Sequence, residues 1–172
     1  AVEGALPPVL GAGADFELGD KIAEGGMAEI HLAKANGIGG FEKRLALKVL
    51  HPKISEDQDF IDMFVDEAKI AVTLNHANVV QVFDLGRADE SFFIAMEYVA
   101  GVDWSTVLRR ANRYGGPVPA ALSVFVASEV ASGLDYAHRR RDAQMRPLNI
   151  VHRDISPQNI LLSWEGEVKI TD

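Results

Sequence analysis

Apolar and polar positions alternate along the first hundred residues, and the period then lengthens to that of helices. From Phe16, two strand-like runs, Phe16–Ala23 and Ala28–Asn36, flank the short turn Glu24-Gly25-Gly26-Met27. A third run, Phe41–Leu50, follows the turn Gly37-Ile38-Gly39-Gly40, and its alternation puts Ala46 and Lys48 on one face. Ser55-Glu56-Asp57-Gln58 reads as a capping box opening a helix to about Asn75. Phe60, Phe64, Ala71 and Leu74 are its expected buried stripe, with Glu67 inside it. Val79–Gly86 and Ser91–Glu97 read as an antiparallel hairpin around Arg87-Ala88-Asp89-Glu90. A helix over Trp104–Tyr114 is stopped by Gly115-Gly116-Pro117. A longer one starts near Pro119, its stripe formed by Leu122, Phe125, Val126, Val130, Leu134 and Ala137. Ile150-Val151 and Ile160–Ser163 are predicted as two short strands whose polar connection holds Asp154 and Asn159 close together. The turn Trp164-Glu165-Gly166-Glu167 then leads to Val168–Thr171. The pattern predicts an α+β chain: an Ala/Gly/Pro-rich flexible arm over 1–15, five strands and one helix over 16–97, and a mainly helical part over 98–172.

With 172 residues, 48% of them hydrophobic, the chain can fill one substantial core or two small lobes. A net charge of −8 disfavours a nucleic-acid partner. Basic residues nevertheless cluster at Arg139, Arg140, Arg141 and Arg146 in an expected exposed loop. They fit a solvated helix end, where cations suit the dipole, and they also fit docking of an acidic or phosphorylated partner. Without cysteine there are no disulfides or thiolate metal sites. No apolar run approaches a membrane span and no signal peptide is visible, so no membrane segment is expected in this chain and a cytoplasmic setting fits. The five histidines lack metal-ligand spacing, and structural roles are expected for His31, His51, His76 and His138.

Several positions carry candidate chemistry. The Gly25-Gly26 pair permits positive φ and exposes bare backbone amides to a ligand, although a plain hairpin turn fits equally. Lys48, between Leu47 and Val49, is costly to bury without an anion, and Ala46 beside it leaves room for a flat ligand. Glu67 on a buried face needs a cation, which Lys48 can supply; the alternative places Glu67 on the wet margin of the stripe. In the polar loop, Asp154 beside Asn159 suits a proton acceptor next to a metal ligand. Asp103 is placed to cap the helix that follows it.

His152-Arg153-Asp154, followed by four residues and Asn159, resembles the protein-kinase catalytic loop. Ile22–Ile30 is similar to the kinase glycine-rich loop, with Ala23, Gly25 and Ala28 where the family has three spaced glycines. Ala46-Leu47-Lys48 matches its Ala-x-Lys strand, and Met96–Gly101 its hinge. In this order the motifs cover nearly all of Phe16–Asp172 and resemble a bacterial, eukaryotic-like (Hanks-type) Ser/Thr protein kinase catalytic domain, to the Asp of the Asp-Phe-Gly motif. Gly-Gly-Met at the glycine turn and Ser-Pro in the catalytic loop point to that branch.

The resemblance implies a two-lobed fold: a five-stranded antiparallel N-lobe sheet with one helix, and a partial, mainly helical C-lobe. It implies ATP and Mg2+ as cofactors and the Ser/Thr hydroxyls of proteins as acceptors. Lys48, held by Glu67, then grips the α- and β-phosphates, Asp154 accepts the substrate proton, and Asn159 and Asp172 ligate magnesium. Gly25 and Gly26 lie at the phosphates; Ile22, Ile30, Ala46 and Leu161 surround adenine. Met96 is the gatekeeper, the Glu97 carbonyl and Val99 backbone are hinge contacts, and Asp103 lies where the family often bonds ribose. Arg153 pairs with a phosphorylated activation loop, and His152 is structural. Ser156 departs from the lysine of most Ser/Thr kinases. The 172 residues are expected to be inactive alone, with exposed apolar surface favouring self-association. A pseudokinase or nucleotide-binding scaffold is the competing reading, favoured by Ala23, Ala28 and Ser156; Arg153 argues against a small-molecule phosphotransferase.

Overall fold

Strands form in the alternating segments and helices where the longer period sets in, in a computed structural model that describes residues 15–36, 42–52, 54–88 and 91–172. The arm up to residue 14, the Gly37–Gly40 turn with Phe41, and the Asp89-Glu90 turn lie outside the described residues. The chain divides into two units, Ala1–Thr73 with Gln81–Tyr98, and Leu74–Val80 with Val99–Asp172.

In the first unit, β1 (Asp15–Glu24), β2 (Ala28–Asn36), β3 (Glu42–Leu50), β4 (Val82–Ala88) and β5 (Ser91–Glu97) form one antiparallel sheet ordered β1-β2-β3-β5-β4. The β2–β3 register is unbroken from Ala28 opposite Leu50 to Asn36 opposite Glu42. One side of the sheet buries Ala33, Leu47, Phe93 and Ala95, with Leu18 and Val49 against them. Because strand side chains alternate, burying Leu47 and Val49 together leaves Ala46 and Lys48 on the other side.

The single helix among the described residues of this unit, α1 (Gln58–Ala71), is shorter than its sequence suggests. Asp57, not Ser55, is its N-cap, accepting a hydrogen bond from the Asp59 amide at 3.0 Å. Ser55 donates instead to the His51 carbonyl. The helix ends where the Thr73 amide and hydroxyl both turn back to the Ile70 carbonyl, at 3.0 and 2.7 Å. Its buried positions are Phe64 and Ala68, whereas Phe60 is exposed and Leu74, though buried, lies beyond the helix in the second unit. With the stripe centred on Phe64 and Ala68, Glu67 falls on its margin.

In the second unit, β6 (Gly101–Asp103), β7 (Ile160–Ser163) and β8 (Val168–Ile170) form an antiparallel sheet in that order. Beside it lie α2 (Trp104–Tyr114) and α3 (Ala120–His138). Trp104, Val126, Val130, Ile160, Val168 and Ile170 make the core. On α3 the buried positions are Val126, Val130, Gly133 and Ala137, while Leu122 and Phe125 of the expected stripe are 41% and 46% exposed. Small residues at 133 and 137 draw this side inward: a Cβ on Gly133 would stand 3.0 Å from the Asn78 carbonyl oxygen.

The run expected as a strand from Val79 is divided. Val80 donates to the Ile170 carbonyl at 2.8 Å and Ile170 to the Asn78 carbonyl at 2.9 Å, so this segment joins β8, and β4 starts only at Val82. The buried Asn78 side chain fixes the division, donating to Glu129 Oε2 at 2.7 Å and to the Val168 carbonyl at 3.0 Å.

Asp103 caps α2: its carboxylate accepts from the Thr106 amide at 2.8 Å and the Thr106 hydroxyl at 2.7 Å. Partial burial works to raise its pKa, but these bonds, with one from Ser105, prevail and hold the carboxyl below its ordinary value. A folded-state pKa below the unfolded one means the cap stabilises fully above about pH 4 and is lost as pH falls through the folded value. Asp103→Ala is expected to cost about 1 kcal/mol. Asp103→Asn should keep the cap and flatten the acid limb of a stability-versus-pH curve from chemical denaturation. An acid limb unchanged in Asp103→Asn would refute this account.

Candidate active site

The first unit brings together the lysine and glutamate singled out in the sequence. Lys48 Nζ lies 2.8 Å from Glu67 Oε1. The side chains are 14% and 44% exposed, so the glutamate sits on the wet margin and the lysine carries the burial. A stem covered by the sheet with its ammonium reaching a half-exposed carboxylate avoids the cost of two buried charges. Ile30 is directly opposite Lys48 in the β2–β3 register, and Leu32 opposite Ala46. Ala46 and Met96 are buried and paired across β3 and β5, Ile30 is half-buried, and Ile22 is 47% exposed.

The glycine turn differs from its expectation. Neither Gly25 nor Gly26 adopts positive φ. The Gly25 amide donates to the Ala28 carbonyl at 2.9 Å, and a Cβ on Gly26 would meet nothing within 4 Å. At Gly26 the missing side chain thus leaves open backbone rather than relieving a dihedral. The turn is tethered to the end of β3, with the His51 amide donating to the Met27 carbonyl at 3.0 Å and His51 Nε2 lying 3.1 Å from the Gly25 carbonyl.

Cross-strand pairing also assembles a polar cluster that the sequence did not suggest. Glu24 stands opposite Glu29, and Glu24, Glu29 and His51 present ligand-type atoms within 4.8 Å of one another. Lys21 supplies the cation there, at 2.7 Å from Glu24 and 3.3 Å from Glu29. Its hydrogen bond to Glu24, then that to Glu29, raises the lysine pKa; the bond with His31 lowers that of Glu29. The signal that could have found the cluster is the hairpin register, which depends on the bulges between Leu18 and Ala23.

In the second unit, Asn159 Nδ2 donates to both the Asp154 carbonyl and Asp154 Oδ2, each at 3.0 Å. That joins the two residues as the spacing predicted, but not between two strands. Residues 150–156 are irregular, and Asn149 at φ 50° and Arg153 at φ 69° take left-handed values. A 3-10 turn, Pro157–Asn159, then leads into β7. Strain in a non-glycine residue next to Asp154 is the kind that functional loops retain. His152 links the loop to the end of β8, its Nδ1 accepting from the Asp154 amide and its Nε2 lying 3.3 Å from the Thr171 carbonyl. With Nδ2 committed to Asp154, the Asn159 amide keeps its carbonyl oxygen as the hard donor a magnesium ion prefers. The carboxylate of Asp172 is the same type of donor. Glu97 closes β5, its amide donating to the Gln81 carbonyl at 2.8 Å; Val99 is half-buried beyond it, and Leu161 pairs with Asp103 across β6 and β7.

A protein kinase domain matches residues 16–172. The chain belongs to that family. The kinase domain is 45% identical over 170 residues to the tyrosine-protein kinase MasK of Myxococcus xanthus, covering 99% of this chain and 26% of that protein. It is 34% identical over 165 residues to the serine/threonine-protein kinase PksC of Streptomyces coelicolor, covering 94% of this chain and 28% of that one. The chain thus spans about a quarter of the length of these bacterial relatives. Among solved structures, a mutant form of the PknI kinase domain of Mycobacterium tuberculosis aligns over 100% of this kinase domain and 63% of its own chain, with a TM-score of 0.72 and 28% identity. The two-lobed kinase fold read from the motifs is the fold of this chain. Among the described residues, no helix of the kinase domain is long and apolar enough to cross a membrane.

Proposed function

We propose that this chain is the nucleotide-binding and catalytic-loop part of an ATP- and Mg-dependent protein kinase that phosphorylates Ser/Thr hydroxyls of proteins in the cytoplasm. The observation that carries this reading is the Lys48–Glu67 ion pair at 2.8 Å, formed despite the altered glycine loop. Magnesium supplies charge neutralisation at the transferring phosphoryl group, and Asn159 and Asp172 are the residues whose oxygens would hold it. Lys48, kept in place by Glu67, grips the α- and β-phosphates. The open amide at Gly26 receives a phosphate oxygen, and Gly25, its own amide bonded to the Ala28 carbonyl, shapes the turn beside it. Ile22, Ile30, Ala46 and Leu161 contact adenine, Met96 bounds it, and the Glu97 carbonyl and Val99 backbone supply its hydrogen bonds. Asp103 serves both as helix cap and as ribose partner. Asp154 orients the acceptor hydroxyl and takes its proton on a carboxylate oxygen while Asn159 steadies the other.

The exposed apolar surface of the second unit favours self-association. Leu122, Val124, Phe125, Val151 and Ile155 are exposed on the second unit, apolar surface that further chain or a second copy covers. The test uses the whole protein with Mg, γ-labelled ATP and a generic protein substrate, followed by phosphoamino-acid analysis. Phosphoserine or phosphothreonine supports the reading. Phosphotyrosine would favour the acceptor named for MasK, a second reading that Ser156 also favours. ATP binding without transfer would leave a nucleotide-binding scaffold. Lys48→Met is expected to weaken ATP binding about tenfold or more, from loss of a charged hydrogen bond. Its thermal midpoint should stay close to wild type, because the stranded Glu67 is already half in water. Unchanged affinity by calorimetry would remove Lys48 from the site.

A further inference from the structure

The glycine turn of the first unit is held by a side chain to which none of the roles above assigns a part. His51 follows β3 directly, three residues after Lys48. Its ring Nε2 lies 3.1 Å from the Gly25 carbonyl oxygen, and its backbone amide donates to the Met27 carbonyl at 3.0 Å. A carbonyl oxygen only accepts, so Nε2 carries the proton of this bond. Nδ1 stands 3.9 Å from Glu29 Oε1, too far for a hydrogen bond. Among the described residues the ring therefore makes one hydrogen bond, the one to Gly25.

The plain reading is a brace for the hairpin. The backbone bond from His51 to Met27 already provides one, beside a β2–β3 register that runs unbroken to Ala28 opposite Leu50. What the ring adds is a hold on one peptide unit. The Gly25 carbonyl and the Gly26 N–H belong to the same planar, trans peptide and point in opposite directions. Fixing the one aims the other. This unit lies between two glycines, so the dihedrals on either side of it escape the Cβ clashes that would otherwise choose its orientation. The turn's other ties, from the Gly25 amide to the Ala28 carbonyl at 2.9 Å and from His51 to the Met27 carbonyl, act on different peptide units. The Gly26 amide itself makes no hydrogen bond among the described residues, and a Cβ beside it would meet nothing within 4 Å.

Orientation matters because of what flanks the turn. Glu24 and Glu29 stand on its two sides, with the single cation Lys21 at 2.7 Å from one and 3.3 Å from the other. An anion approaching here meets carboxylates. A reversed Gly25–Gly26 peptide would add a carbonyl oxygen to them in place of an N–H donor. We infer that His51 is a positioning residue for phosphate binding: by holding the Gly25 carbonyl, it keeps the Gly26 N–H available as a donor to a phosphate oxygen of the nucleotide. This rests on the nucleotide reading above and adds to it the side chain that orients the turn. The end of β3 then serves the phosphates twice, through the Lys48 ammonium and through the ring that aims the amide.

Calorimetry of the whole protein with ATP and with adenosine, each with Mg present, tests the inference. Adenosine offers the base and sugar but no phosphate for the Gly26 amide to meet. His51→Leu removes the ring donor and leaves the backbone bond to Met27 in place. It should weaken ATP binding about two- to tenfold, the range for one neutral hydrogen bond, and leave adenosine binding unchanged. His51→Gln, whose side-chain amide can still donate to the Gly25 carbonyl, should recover most of the lost ATP affinity. Three results would each overturn the role of His51 while wild type still binds ATP and so keeps the nucleotide reading. They are equal ATP affinity in His51→Leu and wild type, an equal loss for ATP and adenosine (total loss of both included), and a His51→Gln protein that binds ATP no better than His51→Leu. Wild type that binds no ATP would remove both readings together.

Discussion

Asp154→Asn, made in the whole protein, is expected to lower kcat roughly a hundred- to ten-thousand-fold, the range for removing a positioned general base. ATP affinity and thermal midpoint should change little. The substitution keeps an oxygen where Asn159 Nδ2 now reaches Oδ2 at 3.0 Å, and the second bond of that amide goes to the backbone carbonyl of residue 154, which the change does not touch. The loop therefore keeps its shape while losing its proton acceptor. Initial-rate measurements at saturating ATP, beside a thermal melt, separate the two effects. A variant that keeps more than a tenth of the wild-type rate would show that Asp154 is not the base, and a variant that melts early would show that the carboxylate is structural.

Gly101→Ala is expected to have the largest effect on folding. A Cβ at this position would lie 1.8 Å from the Leu162 carbonyl oxygen and 2.7 Å from its carbon. The obstacle is backbone, so no side chain can move out of the way. Gly101 also begins β6, opposite Ser163, and the adjacent Ala100 carbonyl accepts from the Trp164 amide at 2.9 Å. Accommodating one methyl group means separating β6 from β7. That should cost about 3 kcal/mol or more. The thermal midpoint should then fall by about 6–12 °C in a chain of this size. Differential scanning fluorimetry on the purified variant is sufficient, and a midpoint within about 2 °C of wild type, less than a 1 kcal/mol change produces, would mean that the strands do not approach as described.

Local pattern was legible where one residue's neighbours in sequence are also its neighbours in space. The β2 and β5 segments and helix α2 end where propensity and punctuation say they should, and Asp103 caps the helix it precedes. The Lys48–Glu67 pairing was reachable by asking what a partly covered charge needs, even though Glu67 proved half-exposed. Legibility failed where a competing partner lay far away in the chain. Asn78 draws Val79 and Val80 toward β8, some ninety residues on, and no hairpin rule contains Val168 or Ile170. Thr73 ends α1 early, and the small residues of α3 turn Leu122 and Phe125 outward.

Composition and order of residues by themselves determined the α+β class, the run of kinase motifs and the chemical identity of each candidate group, because these depend on residue type and short-range period. Only the tertiary structure decided that Glu67 is a surface anchor, that the Gly26 backbone stands open without strain, and that the His51 ring holds the Gly25 carbonyl. Exposure, dihedral strain and the reach of a ring to a distant carbonyl belong to atoms brought together across long stretches of chain, and hydrophobic periodicity carries no record of which distant atoms those will be.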